Sequence, residues 1–324
     1  MESMSTAMRM TDSKIEGLDL NGYGPQGRSE WLDIDWREHQ RWVRVDDRAV
    51  NLVEMGDGPP VVLIHGHSGC WQNWLENIPH LARTHRVIVP DLPGVGFSEM
   101  PERVSIENYG RFLGQLCDLL DVKDAQLVGN SMGGFVGAEV CIKYPERASA
   151  LVLVSAAGLS TKYLGFSSEF YRRKSVRAFA RATNAYATIP EARVETLVRR
   201  HRLRRAVLRP VVKYPDRLPA PLCAELLRGS GRPAAPYATD AIMEYDFRDR
   251  VGEIACPTLI VWGEDDRIVP VEAADAYERA IPRSRKVVFP DTGHVPMLER
   301  PSAFNSLLDE FLSSSTASSA APSG

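Results

Sequence analysis

Short, mostly apolar runs recur along the chain at residues 61–64, 87–89, 125–128, 151–154, 258–262 and 286–289. Such runs lack polar alternation and read as strands buried on both faces of a sheet. Between them the apolar positions take helical spacing. Residues 71–83 carry Trp71, Trp74, Leu75, Ile78 and Leu81; residues 106–120 carry Ile106, Tyr109, Phe112, Leu113, Leu116 and Leu120. Helices are also expected at 132–144, 271–281 and 302–312, and a hairpin over 41–54 turning at Asp46-Asp47. Strand alternating with helix predicts an α/β fold, a mostly parallel central sheet with helices on both faces. Ligands of such sheets sit at the carboxyl ends of the strands, so the loops after Ile64, Val128 and Val154 share one rim.

The alternation stops after Gly158. From about 159 to 250 the text is helix-like but irregular and interrupted by seven prolines, from Pro190 to Pro236. The simplest account is a helical lid inserted into one core domain, which comprises residues 31–158 and 251–312. Residues 1–30 lack periodicity and are expected to be a disordered leader. The small, polar end of the chain (residues 313–324) is expected to be a flexible tail.

Composition narrows the picture little. A net charge of −3 over 324 residues gives no overall case for nucleic acid. Five scattered cysteines without a C-x-x-C pair suggest reduced thiols. With no signal-peptide core and no long apolar run, a soluble, cytoplasmic protein without a transmembrane segment is expected. No H-E-x-x-H, Walker loop or complete dinucleotide fingerprint supports a metal or other cofactor.

The chemistry centres on Gly129-Asn130-Ser131-Met132-Gly133, a G-x-S-x-G turn between an apolar strand and a helix. A glycine turn can simply join two elements. Alternatively it is a nucleophile elbow, which exposes the serine hydroxyl above the sheet beside a helix N-terminus. A serine hydroxyl needs a base, and the base an orienting acid. His294 follows the last predicted strand on the same rim, beside Gly293, a position that favours the base over a surface-loop histidine. Glu264, Asp265 and Asp266 follow the preceding strand, whereas no carboxylate follows residues 151–154.

Taken together, these motifs resemble the α/β-hydrolase fold family, in its lidded, single-chain form, over roughly residues 40–158 and 251–312. The matching stretches are His65-Gly66, the D-x-x-G-x-G-x-S loop from Asp91 to Ser98, the elbow, Gly263-Glu264-Asp265-Asp266, and Gly293-His294. The resemblance implies a Ser131–His294–Asp266 triad, with Asp266 rather than Asp265 as the acid. It also implies an oxyanion hole from the backbone N–H groups of His67 and Met132. His65 is expected to bond to loop backbone, and Asp91 and Gly94 to be structural.

Serine at the elbow argues against the haloalkane dehalogenases and epoxide hydrolases of this fold, which use aspartate. A carboxylesterase- or lipase-like serine hydrolase of a small-molecule acyl ester is placed first. Gly129–Gly134 is also similar to the elbow of hydrolases that cleave carbon–carbon bonds in ring-fission products. Those carry a glycine-richer loop after the third strand and a tryptophan after the histidine, where this chain has Val295. A non-catalytic receptor that keeps the triad as a ligand pocket is the third reading. Finally, residues 171–217 hold fourteen Lys or Arg against Glu191, Glu195 and Asp216. This basic lid is either a solvated face or a surface for anionic substrates or lipid.

Overall fold

Five of the apolar runs become central strands of one eight-stranded sheet; the sixth, 286–289, lies in a half-buried edge strand, because it has a neighbour on one side only. The computed structural model describes residues 22–67, 69–163, 166–176, 189–228 and 233–319. Its strands are β1 (Gln40–Val45), β2 (Arg48–Met55), β3 (Pro60–Ile64), β4 (Arg86–Pro90), β5 (Ala125–Asn130) and β6 (Ala148–Val154). A two-residue pair follows, β7 (Lys162–Tyr163) and β8 (Phe166–Ser167), then β9 (Thr258–Gly263) and β10 (Ser284–Phe289). The sheet order is β1-β2-β4-β3-β5-β6-β9-β10. The pairs β1–β2 and β2–β4 are antiparallel, and all later neighbours are parallel. Asp46 and Asp47 both have positive φ, at 48° and 59°, as a two-residue hairpin turn requires.

Alternate strand residues face opposite layers. Val62, Ile64, Leu127, Leu151 and Leu153 pack with Phe135, Val136 and the helix Ile106–Leu119. Val61, Leu63, Val128, Val152 and Val154 pack with Trp74, Phe304, Leu307 and Leu308. Helix Met132–Lys143 has little amphipathicity because nearly every residue in it is buried. The expected helix over 71–83 is instead a 3₁₀ turn, Trp71–Trp74, and a short helix, Ile78–Leu81. Pro79 at the start of the second piece lacks an N–H and favours a new helix start over continuation.

Parts of both expected flexible ends are built into the fold. Within the leader, Gly24 N–H donates to Glu299 O at 2.7 Å and the Ser29 hydroxyl to Glu76 at 2.7 Å, where the indole of Trp31, just beyond it, also donates at 2.7 Å. Residues 22–30 therefore pack on the core, held by bonds to distant residues that local composition does not reveal; residues 1–21 lie outside the described residues. At the other end, helix Pro301–Ser319 carries on through the expected tail, since extending a formed helix is far easier than nucleating one. Residues 320–324 lie outside the described residues. Between β6 and β9 the chain forms helices Glu191–Arg199, His201–Leu208, Ala220–Arg228 and Ala235–Glu244. The five cysteines are free thiols. No helix among the described residues is long and apolar enough to cross a membrane.

Candidate active site

The turn between β5 and helix Met132–Lys143 explains its own glycines. Ser131 sits at φ 55° and ψ −117°, a conformation costly for any residue with a Cβ and common at functional sites. A Cβ on Gly129 would lie 2.3 Å from Gly133 O, and one on Gly133 would lie 2.2 Å from Ile64 O. Both positions must be glycine for the helix to close onto the strand. The apex is fixed by Ser131 N–H to Val154 O at 2.9 Å and Ala157 N–H to Ser131 O at 3.0 Å. Met132 N–H begins the helix and donates to no protein group among the described residues, one of the free donors every helix start carries.

His294 follows β10 and is buried. Its Nδ1–H donates to Asp266 Oδ2 at 2.7 Å. The other oxygen, Asp266 Oδ1, accepts from Ile268 N–H at 2.8 Å and Val269 N–H at 2.9 Å. The acid is thus held at both ends. Asp265 turns away and pairs with Lys213. Asn130, beside the serine, donates to Val154 O at 3.1 Å and to His294 O at 3.2 Å, tying the elbow to the histidine loop. No hydrogen bond joins Ser131 Oγ to the imidazole in this structure, and such contacts commonly tighten only around substrate.

Glu299 carries no signal in the sequence beyond being an acid in an apolar stretch, yet it organises this loop. It is fully buried. It accepts from Gly293 N–H at 3.0 Å, Val295 N–H at 3.3 Å, Lys213 N–H at 2.8 Å and Tyr23 O–H at 2.6 Å. His294 N–H adds a bond to Val211 O at 2.8 Å. One carboxylate therefore joins the histidine loop, the inserted segment and the start of the ordered chain. Burial raises its proton affinity, and the donors oppose that rise. A Cβ on Gly293 would meet Val211 O at 2.8 Å, so only glycine admits the approach. In Glu299→Gln the new NH₂ faces donors and leaves at least one unpaired, costing about 2–4 kcal/mol of stability. We expect kcat to fall about 10- to 100-fold with KM little changed, measured by steady-state kinetics alongside denaturant unfolding.

The loop after β3 places two histidines differently. Leu92 N–H donates to His65 Nε2 at 3.0 Å, so His65 Nδ1–H donates to Gly66 O at 2.8 Å, the backbone role expected for it. Asp91 is likewise structural: it accepts from Trp71 N–H, Asn51 Nδ2 and Phe97 N–H. His67 turns its ring to the insertion, with Nε2 2.7 Å from Ala235 O and 2.8 Å from the Thr239 hydroxyl. Its ring thus fastens helix Ala235–Glu244 to the core. Ser68 lies outside the described residues.

Burial lowers the proton affinity of both His65 and His67 below the ordinary histidine range. The folded state keeps them neutral while the unfolded chain binds protons below about pH 6.5, so their contribution is intact above that pH and lost as pH falls. Each adds a slope of up to about 1.4 kcal/mol per pH unit. The buried carboxylates Glu76, Glu139 and Glu299, whose proton affinity burial raises, act in the opposite sense. Denaturant midpoints of wild type and His67→Gln between about pH 7 and 5.5 isolate the histidine share; the variant should lose less stability on acidification.

An open groove of about 870 Å³ adjoins the acid loop, lined by Arg202, Arg205, Arg209, Asp266 and Arg267. No group of three or more His, Cys, Asp or Glu side chains suited to a metal occurs among the described residues.

A family model described as the alpha/beta hydrolase fold matches residues 59–301. The chain belongs to the α/β-hydrolase fold family. It is 30% identical over 281 residues to the 2-hydroxy-6-oxo-2,4-heptadienoate hydrolase of Pseudomonas putida, covering 84% of this chain and 95% of that one. Among solved structures it is similar to a thermophilic esterase from Thermogutta terrifontis, with TM-score 0.67, 25% identity and coverage of 85% and 98%. It is also similar to a bacterial membrane phospholipase A, with TM-score 0.68, 25% identity and coverage of 86% of each chain. The α/β-hydrolase resemblance read from the sequence is correct, and the protein is a hydrolase.

Proposed function

We propose that this hydrolase cleaves a carboxylic ester of a small molecule through an acyl-enzyme on Ser131. The observation that carries the reading is the convergence on one rim of a serine at a strained apex, a free helix N-terminal amide and a buried Asp266–His294 pair. His294 Nε2 takes the Ser131 proton as Oγ attacks the carbonyl. The tetrahedral oxyanion is received by Met132 N–H and His67 N–H, and each such donor is worth about 3 kcal/mol in the transition state. The imidazolium, stabilised by Asp266, returns the proton to the leaving alcohol. Water deprotonated by His294 then frees the acid and regenerates the serine. In this reading residues 159–250 act as a lid that bounds the substrate cavity.

A second reading, hydrolysis of a carbon–carbon bond in a vinylogous diketone, is favoured by the relative from P. putida, whose name states a hydrolase of a hydroxy-oxo-dienoate, a compound of that class. Side-by-side kinetics on nitrophenyl acetate and butyrate and on a ring-fission dienoate separate the two. Ester kcat/KM at least about tenfold higher is expected. Preferential cleavage of the dienoate would replace the first reading with the second. A fluorophosphonate probe that never labels Ser131 would leave only a ligand-binding role.

A further inference from the structure

Helix His201–Leu208 presents two faces that the hydrolase reading does not use. Arg204 and Leu208 are buried toward the protein. Leu203 and Val207, one helical turn apart, point outward at 38% and 40% exposure. Arg199, Arg200 and Arg202 flank Leu203 along the chain, while Arg202, Arg205 and Arg209 line the adjoining open groove with Arg267 from the loop after β9. Few acids balance this charge. Arg199 has Glu195 at 3.5 Å, and Arg205 shares Asp216 at 3.7 Å with Arg204 and His201. The side chains of Arg200, Arg202, Arg209 and Arg267 have no carboxylate or hydrogen-bond partner among the described residues.

We propose that this helix is a docking surface for an anionic lipid bilayer, with Leu203 and Val207 entering the headgroup boundary and the surrounding guanidinium groups binding lipid phosphates. Charge complementarity selects the occupant. Unpaired guanidinium groups recognise phosphate bidentately, and a row of them flanking protruding aliphatics matches a surface that is anionic outside and apolar beneath. A solvated arginine face has no use for two aliphatics at its crest. Two aliphatics alone are too small an apolar area for a stable protein interface. A free small anion would account for the arginines but not for Leu203 and Val207.

The test is co-sedimentation of the full chain with vesicles of phosphatidylcholine alone or mixed with phosphatidylglycerol. Binding is expected only to the mixed vesicles, and weaker at high salt. Leu203→Glu with Val207→Glu should lower partitioning at least about tenfold, and Arg202→Gln with Arg209→Gln by about 25-fold, near fivefold per charge removed. Thermal midpoints are read on both double variants, and because Leu203 and Val207 are only 38% and 40% exposed and Arg209 is half-buried, Arg202→Gln alone, at an exposed position, is the variant expected to keep the wild-type midpoint while losing about fivefold in partitioning. Absence of binding to the mixed vesicles overturns the proposal. So does binding that both double variants retain, or stabilisation by inorganic phosphate without any vesicle binding. None of these readouts depends on which bond the enzyme cleaves.

Discussion

Ser131→Ala should lower turnover of a short nitrophenyl ester by about 10⁴- to 10⁶-fold while leaving the fold in place. The variant keeps a Cβ at the same φ of 55°, so the backbone strain and the bonds to Val154 O and from Ala157 N–H are unchanged. What goes is the attacking oxygen, and with it the acyl-enzyme. A residual rate over water of about 10³-fold is expected, because in the proposed mechanism Met132 N–H and His67 N–H would still receive a carbonyl attacked directly by solvent. Steady-state kinetics, with fluorophosphonate labelling and an unfolding curve on the same sample, check each part. A variant that folds normally and keeps more than about a tenth of wild-type kcat would show that another group attacks.

That experiment rests on residues legible in the sequence. The elbow, the acid loop and Gly293-His294 are local signals, because the close approaches at Gly129, Gly133 and Gly293 admit only glycine and leave glycine in the text. The mostly apolar central strands were legible for a related reason: both faces are buried, so few polar residues interrupt them. Glu299 was not legible. Its partners include Tyr23, 276 residues away, and main-chain groups that any residue could supply. The packing of residues 22–30 was missed with it, since Tyr23 and Gly24 bond to Glu299 itself. His67 was half legible. Its place after β3 follows from the motif, but the bonds of its ring to Ala235 O and Thr239 depend on how the insertion folds back. The insertion is least legible throughout, because proline-broken, arginine-rich helices carry no period that says which face meets the core.

Asp266→Asn tests the acid and should lower kcat by about 10⁴-fold, whereas Asp265→Asn should change it by less than about threefold. The difference follows from which atoms accept. Asp266 Oδ1 receives two backbone N–H groups, from Ile268 and Val269, so an amide at this position keeps its oxygen there. Its NH₂ must then face His294 Nδ1, where the carboxylate Oδ2 now sits at 2.7 Å. Two donors cannot share that contact. The ring must give up its proton at Nδ1 and carry it on Nε2, the nitrogen that has to accept from Ser131. The base is then in the wrong tautomer, and the imidazolium formed during attack has lost its counter-charge. Asp265 makes no bond to the imidazole; its partners are Lys213 and Thr292 O. Its loss touches the seam between the acid loop and the insertion and leaves the ring's proton where it is. The two variants differ by one position in the chain, so comparable losses of kcat in both would show that the loop acts as a unit. A 10³-fold or larger gap would assign the role to Asp266 alone.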